Sequence, residues 1–243
     1  MFEKKITTFS DNQFQTSLQL SETKEPFGID FRNYILSWQF LMLEPEQMYF
    51  PTQRNYSTSI VRMKNSGANL ADFFRRLQDK PALSNLVIDK LRYVLPDLDY
   101  VGGEEVNVQK LIYLFFKEKN NEHYIPSWLF SSGTLRILAM LSILNSETPP
   151  PIVFIEEVEN GLDPRTLNLL VTEMRGMLPE HQFVVTSHSP YFLDLVDLQH
   201  VIVADRNESK TSFYRPDDDK SFDDWKEEFS AGTLYTMNKF SRQ

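Results

Sequence analysis

The 243-residue chain contains no cysteine, which excludes a disulfide framework, thiol catalysis and a zinc–thiolate site, and is compatible with a reducing compartment. Its eight glycines are scattered and none precedes a lysine, so no Gly-x-x-x-x-Gly-Lys-Ser/Thr loop is present to cradle phosphates. No apolar run approaches the ~18 residues that cross a bilayer, and the start MFEKKITTF lacks the apolar centre of a secretory signal. A soluble, cytoplasmic protein with no membrane partner is expected. Basic residues are in deficit, 25 against 34 acidic, so at a formal charge of −9 the chain as a whole does not attract nucleic acid. No heptad seam, internal repeat or low-complexity linker stands out.

With 41% hydrophobic residues, the chain has core enough for one large or two small domains. Its most informative stretch is PPPIVFIEEVENGLDPRT, Pro149 to Thr166. Ile152 to Ile155 read as a buried parallel strand bounded by prolines, which puts Glu156 and Glu157 at the carboxyl edge of a sheet. Ligands bind at that edge in open α/β sheets. Two adjacent acids there suit a metal-nucleotide site, one holding Mg²⁺ and the next polarising the attacking water. They equally suit a solvated strand end.

Two further segments bear on the choice. FSSGTLRILAMLSIL, Phe130 to Leu144, is a hydroxyl- and glycine-rich turn running into an apolar helix, whose free N–H groups suit an anion. QFVVTSHSPYFLDLV, Gln182 to Val196, is a second β-branched strand with His188 just past its carboxyl end. Taken singly, Ser131 or Ser132, Asp163 before Pro164, and Ser189 before Pro190 are ordinary helix caps. In order along one chain, three motifs ending at one sheet edge point to a shared site.

These residues resemble the C-terminal half of an ABC-class ATPase head, in the AAA-type predicted-ATPase group that is similar to RecF, to structural-maintenance-of-chromosomes heads and to overcoming-lysogenization-defect ATPases. The resemblance runs from about Phe31 to Arg215 and is most specific over Ser131 to Asp194. It implies an α/β fold, mainly a parallel sheet flanked by helices, with a helical subdomain and a small antiparallel element. It implies ATP and Mg²⁺ as cofactors. Ser131, Ser132 and Gly133 match the signature loop, which acts across a head dimer; Glu156 matches the Walker B metal acid and Glu157 the catalytic glutamate. Asp163 matches the D-loop acid and His188 the switch histidine. Glu156 replaces the commoner Asp, and Val158 stands where many relatives have proline.

The resemblance also implies the missing part: relatives carry a P-loop and a glutamine loop before this region, so the chain is expected to lack the Walker A half. The expected partner is then a P-loop-bearing N-terminal half or partner head. An effector nuclease or toxin would act alongside it, in DNA repair or antiphage defence. Two rivals stand beside this reading, a non-catalytic scaffold that lost its P-loop and a metal-dependent nuclease built on Glu156, Glu157, Glu159 and Asp163. Against the nuclease, successive strand residues face opposite ways.

Expected organisation is 1–128 as strands, helical subdomain and hairpin, 129–215 as the ATPase core, and 216–243 as an acidic tail. Within it, weak strands with Ile6, Phe9, Phe14 and Leu18 facing inward precede a helix over Ile29–Leu43. Asn69 caps a helix whose inner face carries Leu70, Phe73, Phe74 and Leu77, and a second helix covers Leu83–Leu95. Strands near Val106–Phe116 and Glu122–Pro126 meet at Lys119-Asn120-Asn121. Beyond Pro164–Leu178 (helix), Phe183–Thr186 (strand) and Pro190–Val196 (helix), a hairpin of Val201–Ala204 with Thr211–Tyr214 closes the fold. Arg62, Lys64, Arg75, Arg76, Lys80, Lys90 and Arg92 form a basic stretch, read either as a phosphate-backbone contact or as solvated helix faces. In the tail, Phe222, Trp225 and Phe229 are candidate anchors for a partner.

Overall fold

In the computed structural model, the described residues are 26–56, 61–106, 110–207, 210–219, 222, 225 and 228–240. The expected strands around Ile6, Phe9, Phe14 and Leu18 lie outside them. The chain divides at Trp38 into a first unit and a second beginning at Gln39. The first contains helix α1 (Pro26–Leu36), which stops seven residues short of the expected Leu43.

In the second unit the chain turns extended at β1 (Gln39–Leu41), where Gln39 and Leu41 are buried and Phe40 is 46% exposed. That alternation is a strand period, so a short strand occupies what the apolar spacing suggested as helix. Next come α2 (Pro45–Met48), β2 (Thr52–Gln53), α3 (Leu70–Gln78) and α4 (Pro81–Val94). Asn69 precedes α3 as expected but does not cap it. Its Oδ1 accepts from Lys64 N at 2.7 Å and its Nδ2 donates to Arg62 O at 2.8 Å, so it fastens the preceding loop.

An antiparallel sheet follows: β3 (Leu98–Val106), β4 (Leu111–Glu118) and β5 (Tyr124–Pro126), with β2 on the far side of β4. Gly102 suits β3, because a Cβ there would overlap the tip of the Phe115 ring of β4. This sheet fixes how the chain approaches the site. Beyond β5, a short 3-10 turn at Ser127–Leu129 leads to Phe130, buried against Phe116 with ring centroids 3.7 Å apart, and so to Ser131.

Helix α5 (Ser132–Leu144) is apolar nearly all round, which makes it a core helix. It buries every residue from Ile137 to Leu144 and packs on α2, α3, α4 and on α6 (Pro164–Gly176). Lys90 of α4 pairs with Glu173 of α6 and donates to Asn145 at 2.6 Å, tying three helices together. Five of the seven residues in the basic stretch are held in ion pairs within the chain: Arg75, Arg76, Lys80, Lys90 and Arg92. This favours the reading as helix faces over a phosphate contact.

The parallel sheet consists of β1, β6 (Ile152–Ile155) and β7 (Gln182–Val185), with β6 in the centre. Its register aligns Phe40, Phe154 and Val184, and the two phenylalanines stack at 4.5 Å. Among the described residues antiparallel pairing outweighs parallel pairing, a different balance from the mainly parallel sheet expected. Beyond β1, Met42 and Glu44 donate to the backbone of Asn65 and Ser66. Among the described residues no strand pairs with the outer edge of β7.

The chain continues through α7 (Pro190–Asp194), a hairpin of β8 (Val203–Asn207) and β9 (Lys210–Tyr214), and α8 (Ala231–Thr236). Phe222 is buried with Leu234 and Phe240 in a second apolar cluster, and Trp225 and Phe229 pack against it. Phe222 is therefore internal core, not an exposed anchor. No helix among the described residues is long and apolar enough to cross a membrane.

Candidate functional site

Strand β6 ends where its apolar residues end, and the chain then bends sharply. Glu156 N donates to Leu41 O at 3.0 Å, so this acid sits at the carboxyl edge between β1 and β6. Glu157 follows with φ +46°, a left-handed backbone that a residue with a Cβ adopts at a cost of about 1–2 kcal/mol. Thr186, just beyond β7, holds it there: its Oγ1 accepts from Glu157 N at 3.0 Å and its carbonyl from Val158 N at 3.1 Å. Both carboxylates are exposed.

The next turn contains Glu159, which the sequence offered only as one of four clustered acids and not as a partner of the histidine loop. Glu159 Oε1 accepts from the backbone N–H of His188 at 2.6 Å, and its Oε2 is buried without a hydrogen-bond partner. A buried, unsatisfied carboxylate oxygen costs several kcal/mol at most and about 1–3 kcal/mol typically, unless a donor or cation completes it. The acid turn and the histidine loop are thereby joined. Gly161 then takes φ +72°, and Asp163 caps α6: Oδ1 accepts from Arg165 N at 2.9 Å and Thr166 N at 3.2 Å, and Oδ2 from the Thr166 hydroxyl. The Thr166 hydroxyl bond, with the two amides, holds the Asp163 carboxyl below the usual aspartate range. Asp163 is thus engaged within its own helix.

Ser131 caps α5, its Oγ accepting from Thr134 N at 3.1 Å. Gly133 packs directly on the Gly161 carbonyl: a Cβ at 133 would overlap that oxygen and lie 3.2 Å from the carbonyl carbon. Ser132 Oγ faces the same turn, 3.3 Å from where a Cβ on Gly161 would be. Arg136, one helical turn after Ser132, is a second residue the sequence reading missed, although the i, i+4 spacing places it on the same face. Burial pulls its guanidinium below the ordinary arginine range, against the attraction of Glu157 and then Glu46.

The structure therefore gathers Ser131–Gly133, the Glu156–Asp163 turn and His188 at one end of the parallel sheet. Contacts join Gly133 to Gly161, Glu157 to Thr186 and Glu159 to His188. Among the described residues no three acids or histidines converge at metal-binding distance, so the four-acid nuclease arrangement has no geometric support. Mg²⁺ needs less: one or two carboxylates, with phosphate and water completing its shell. The exposed Glu156 carboxylate at the sheet edge suffices as the protein ligand of such an ion.

Comparison with known proteins agrees at the level of the family. No curated protein matches the chain. Solved structures that resemble it include one titled for ATP-driven dimerization and DNA-stimulated activation of SMC ATPases, at 13% identity and TM-score 0.46, covering 57% of this chain and 86% of that one. The Smc head domain of Pyrococcus yayanosii, with a coiled coil and joint, matches at 15% identity and TM-score 0.44, over 57% of this chain and 27% of that one. That of Pyrococcus furiosus, bound to the C-terminal domain of ScpA, matches at 12% and 0.45, over 67% and 42%. A family profile described as "AAA domain, putative AbiEii toxin, Type IV TA system" matches residues 2–194, and the chain belongs to this AAA-domain family, with a general ATPase-associated role and nucleotide context.

Proposed function

We propose that this chain is the hydrolytic part of an ATPase head, supplying the metal acid, the general base, the signature loop and the switch histidine to a nucleotide whose phosphate cradle lies outside residues 1–243. The observation that carries this reading is the cross-linking of the two chemistry-bearing loops. Glu157 is held in a strained conformation by Thr186, and His188 is held by Glu159, so acid and histidine keep one geometry.

In this reading Glu156 would hold Mg²⁺ through its exposed carboxylate. Mg²⁺, when bound, neutralises phosphate charge as the phosphoryl group departs. Glu157 takes the proton of the attacking water. His188 donates to a terminal phosphate oxygen. Ser131, Ser132 and Gly133 present backbone N–H groups to the nucleotide of a second head, and the Gly133–Gly161 contact relays that head's position to the acid turn. Asp163 shapes the same turn by capping α6. The outer edge of β7, which no strand among the described residues pairs with, offers a place for the strand that leads into a P-loop.

The wider setting we propose is DNA repair or antiphage defence, in which ATP turnover licenses a partner nuclease or toxin; the family description names a toxin and a toxin–antitoxin system. The test is hydrolysis by the purified chain with and without a polypeptide carrying a Walker A segment. The chain alone is expected to turn over no ATP and the mixture to hydrolyse it steadily. Micromolar affinity with steady turnover by the chain alone would overturn the assignment.

A further inference from the structure

Helix α7 starts at Ser189-Pro190, immediately after His188, so whatever fixes α7 fixes the root of the histidine. The C-terminal helix α8 does this through an approach that only glycine allows. A Cβ at position 232 would overlap the Pro190 carbonyl oxygen and lie 2.6 Å from Asp194 Oδ1. Gly232 N instead donates to Asp194 Oδ1 at 2.7 Å, so α8 grips α7 at its first and last residues. Beneath this contact, Leu234 is fully buried against Phe222 and Phe240, with Leu193 of α7 packed on the cluster.

The residue after Leu234 turns towards the site. Tyr235 Oη lies 3.5 Å from His188 Nδ1, across 47 residues of chain. The histidine's backbone N–H is already held by Glu159, which leaves the imidazole as the free element, and Tyr235 meets it. A neutral imidazole has one donor and one acceptor nitrogen, and the partner of one decides the role of the other. A phenol donating to Nδ1 keeps the proton on Nε2, the tautomer that can donate to an anionic oxygen.

We propose that α8 is a positioning element for the switch histidine and that Tyr235 sets the orientation and tautomer of the His188 ring. The role rests on the reading of His188 as the residue that meets the terminal phosphate. It assigns the C-terminal segment to the ATPase site itself, a duty that its acidic composition did not suggest.

The test uses the full chain with ¹⁵N-labelled histidine, reading the ring nitrogens of His123, His181, His188 and His200 at a pH where all are neutral. In the wild type, His188 is expected to show a single Nε2–H tautomer with a hydrogen-bonded Nδ1. Tyr235→Phe keeps the ring packing and removes only the hydroxyl. His188 should then become a mixture of tautomers with its Nδ1 shift moving towards that of a free acceptor, while the other three histidines stay unchanged. Gly232→Ala should produce the same change, accompanied by faster amide exchange across Tyr191–Asp194. An identical His188 spectrum in wild type and Tyr235→Phe overturns the inference, as does an unaltered His188 when Gly232→Ala has released α8. ATP turnover in the complemented head separates the two readings. A tautomer change with undiminished turnover keeps the positioning role and refutes the phosphate contact of His188, and a change with turnover reduced about 10-fold at constant KM supports both.

Discussion

Gly133→Ala tests the contact between the serine–glycine loop and the acid turn. The new methyl would overlap the Gly161 carbonyl oxygen and stand 3.2 Å from its carbon, inside the ~3.5 Å of a comfortable pair. Both groups are backbone, so neither swings aside as a side-chain end does. Overpacking of this kind costs about 1–3 kcal/mol. Alanine returns part of that, up to ~1 kcal/mol in a helix interior and less in the first turn, where residue 133 sits. The net loss is about 1.5 kcal/mol, which at about 2–4 °C per kcal/mol for a chain of this size lowers the melting midpoint by about 3–6 °C. Gly176→Ala is the matched control: nothing lies within 4 Å of its new methyl, and a gain of about 0.4–1 kcal/mol is expected. Thermal unfolding of the two variants beside the wild type is the assay. A Gly133→Ala midpoint at or above that of the wild type would refute the close approach.

At Glu157 the left-handed backbone should make Glu157→Gly more stable than Glu157→Ala by about 1 kcal/mol, measured by urea unfolding, and equal midpoints would contradict φ +46°. Asp163→Ala should cost about 1 kcal/mol at pH 7 through the lost cap of α6. Because the folded Asp163 pKa is lowered, that contribution is complete above the ordinary aspartate value and disappears as pH falls through the lowered one. The stability difference between wild type and Asp163→Ala should therefore vanish in strong acid, and a gap that persists there would show that the carboxylate is not the stabilising species.

What the sequence made legible was local. Ser131, Asp163 and Ser189 cap the helices that follow them, as their types and spacing indicate, because a cap bond spans only two or three residues. The β6 and β7 strands and the β4–β5 turn were also readable from apolar runs and turn residues. Strand β1 was not, since a three-residue strand carries too few positions to distinguish period 2 from period 3.6. Nor was β3, since its Gly102-Gly103 pair has low strand propensity and only the Phe115 ring lying over it accounts for glycine there. In the candidate site, the motif residues carry local sequence patterns, and the contacts that hold them do not. Thr186, Glu159 and Tyr235 act on partners 29 or 47 residues away, and no local pattern marks such a pairing. Asp163 shows the converse: its motif suggests a nucleotide contact, and its three hydrogen bonds are all internal to α6.

In the proposed function Glu157 is the base of an ATPase completed by a separate phosphate cradle, and Glu157→Gln in the complemented head isolates that role. The amide keeps size and polarity and removes only the ability to take a proton. Turnover is expected to fall by roughly 10²- to 10⁴-fold while ATP binding persists. Loss of binding with unchanged turnover per bound ATP would contradict the account.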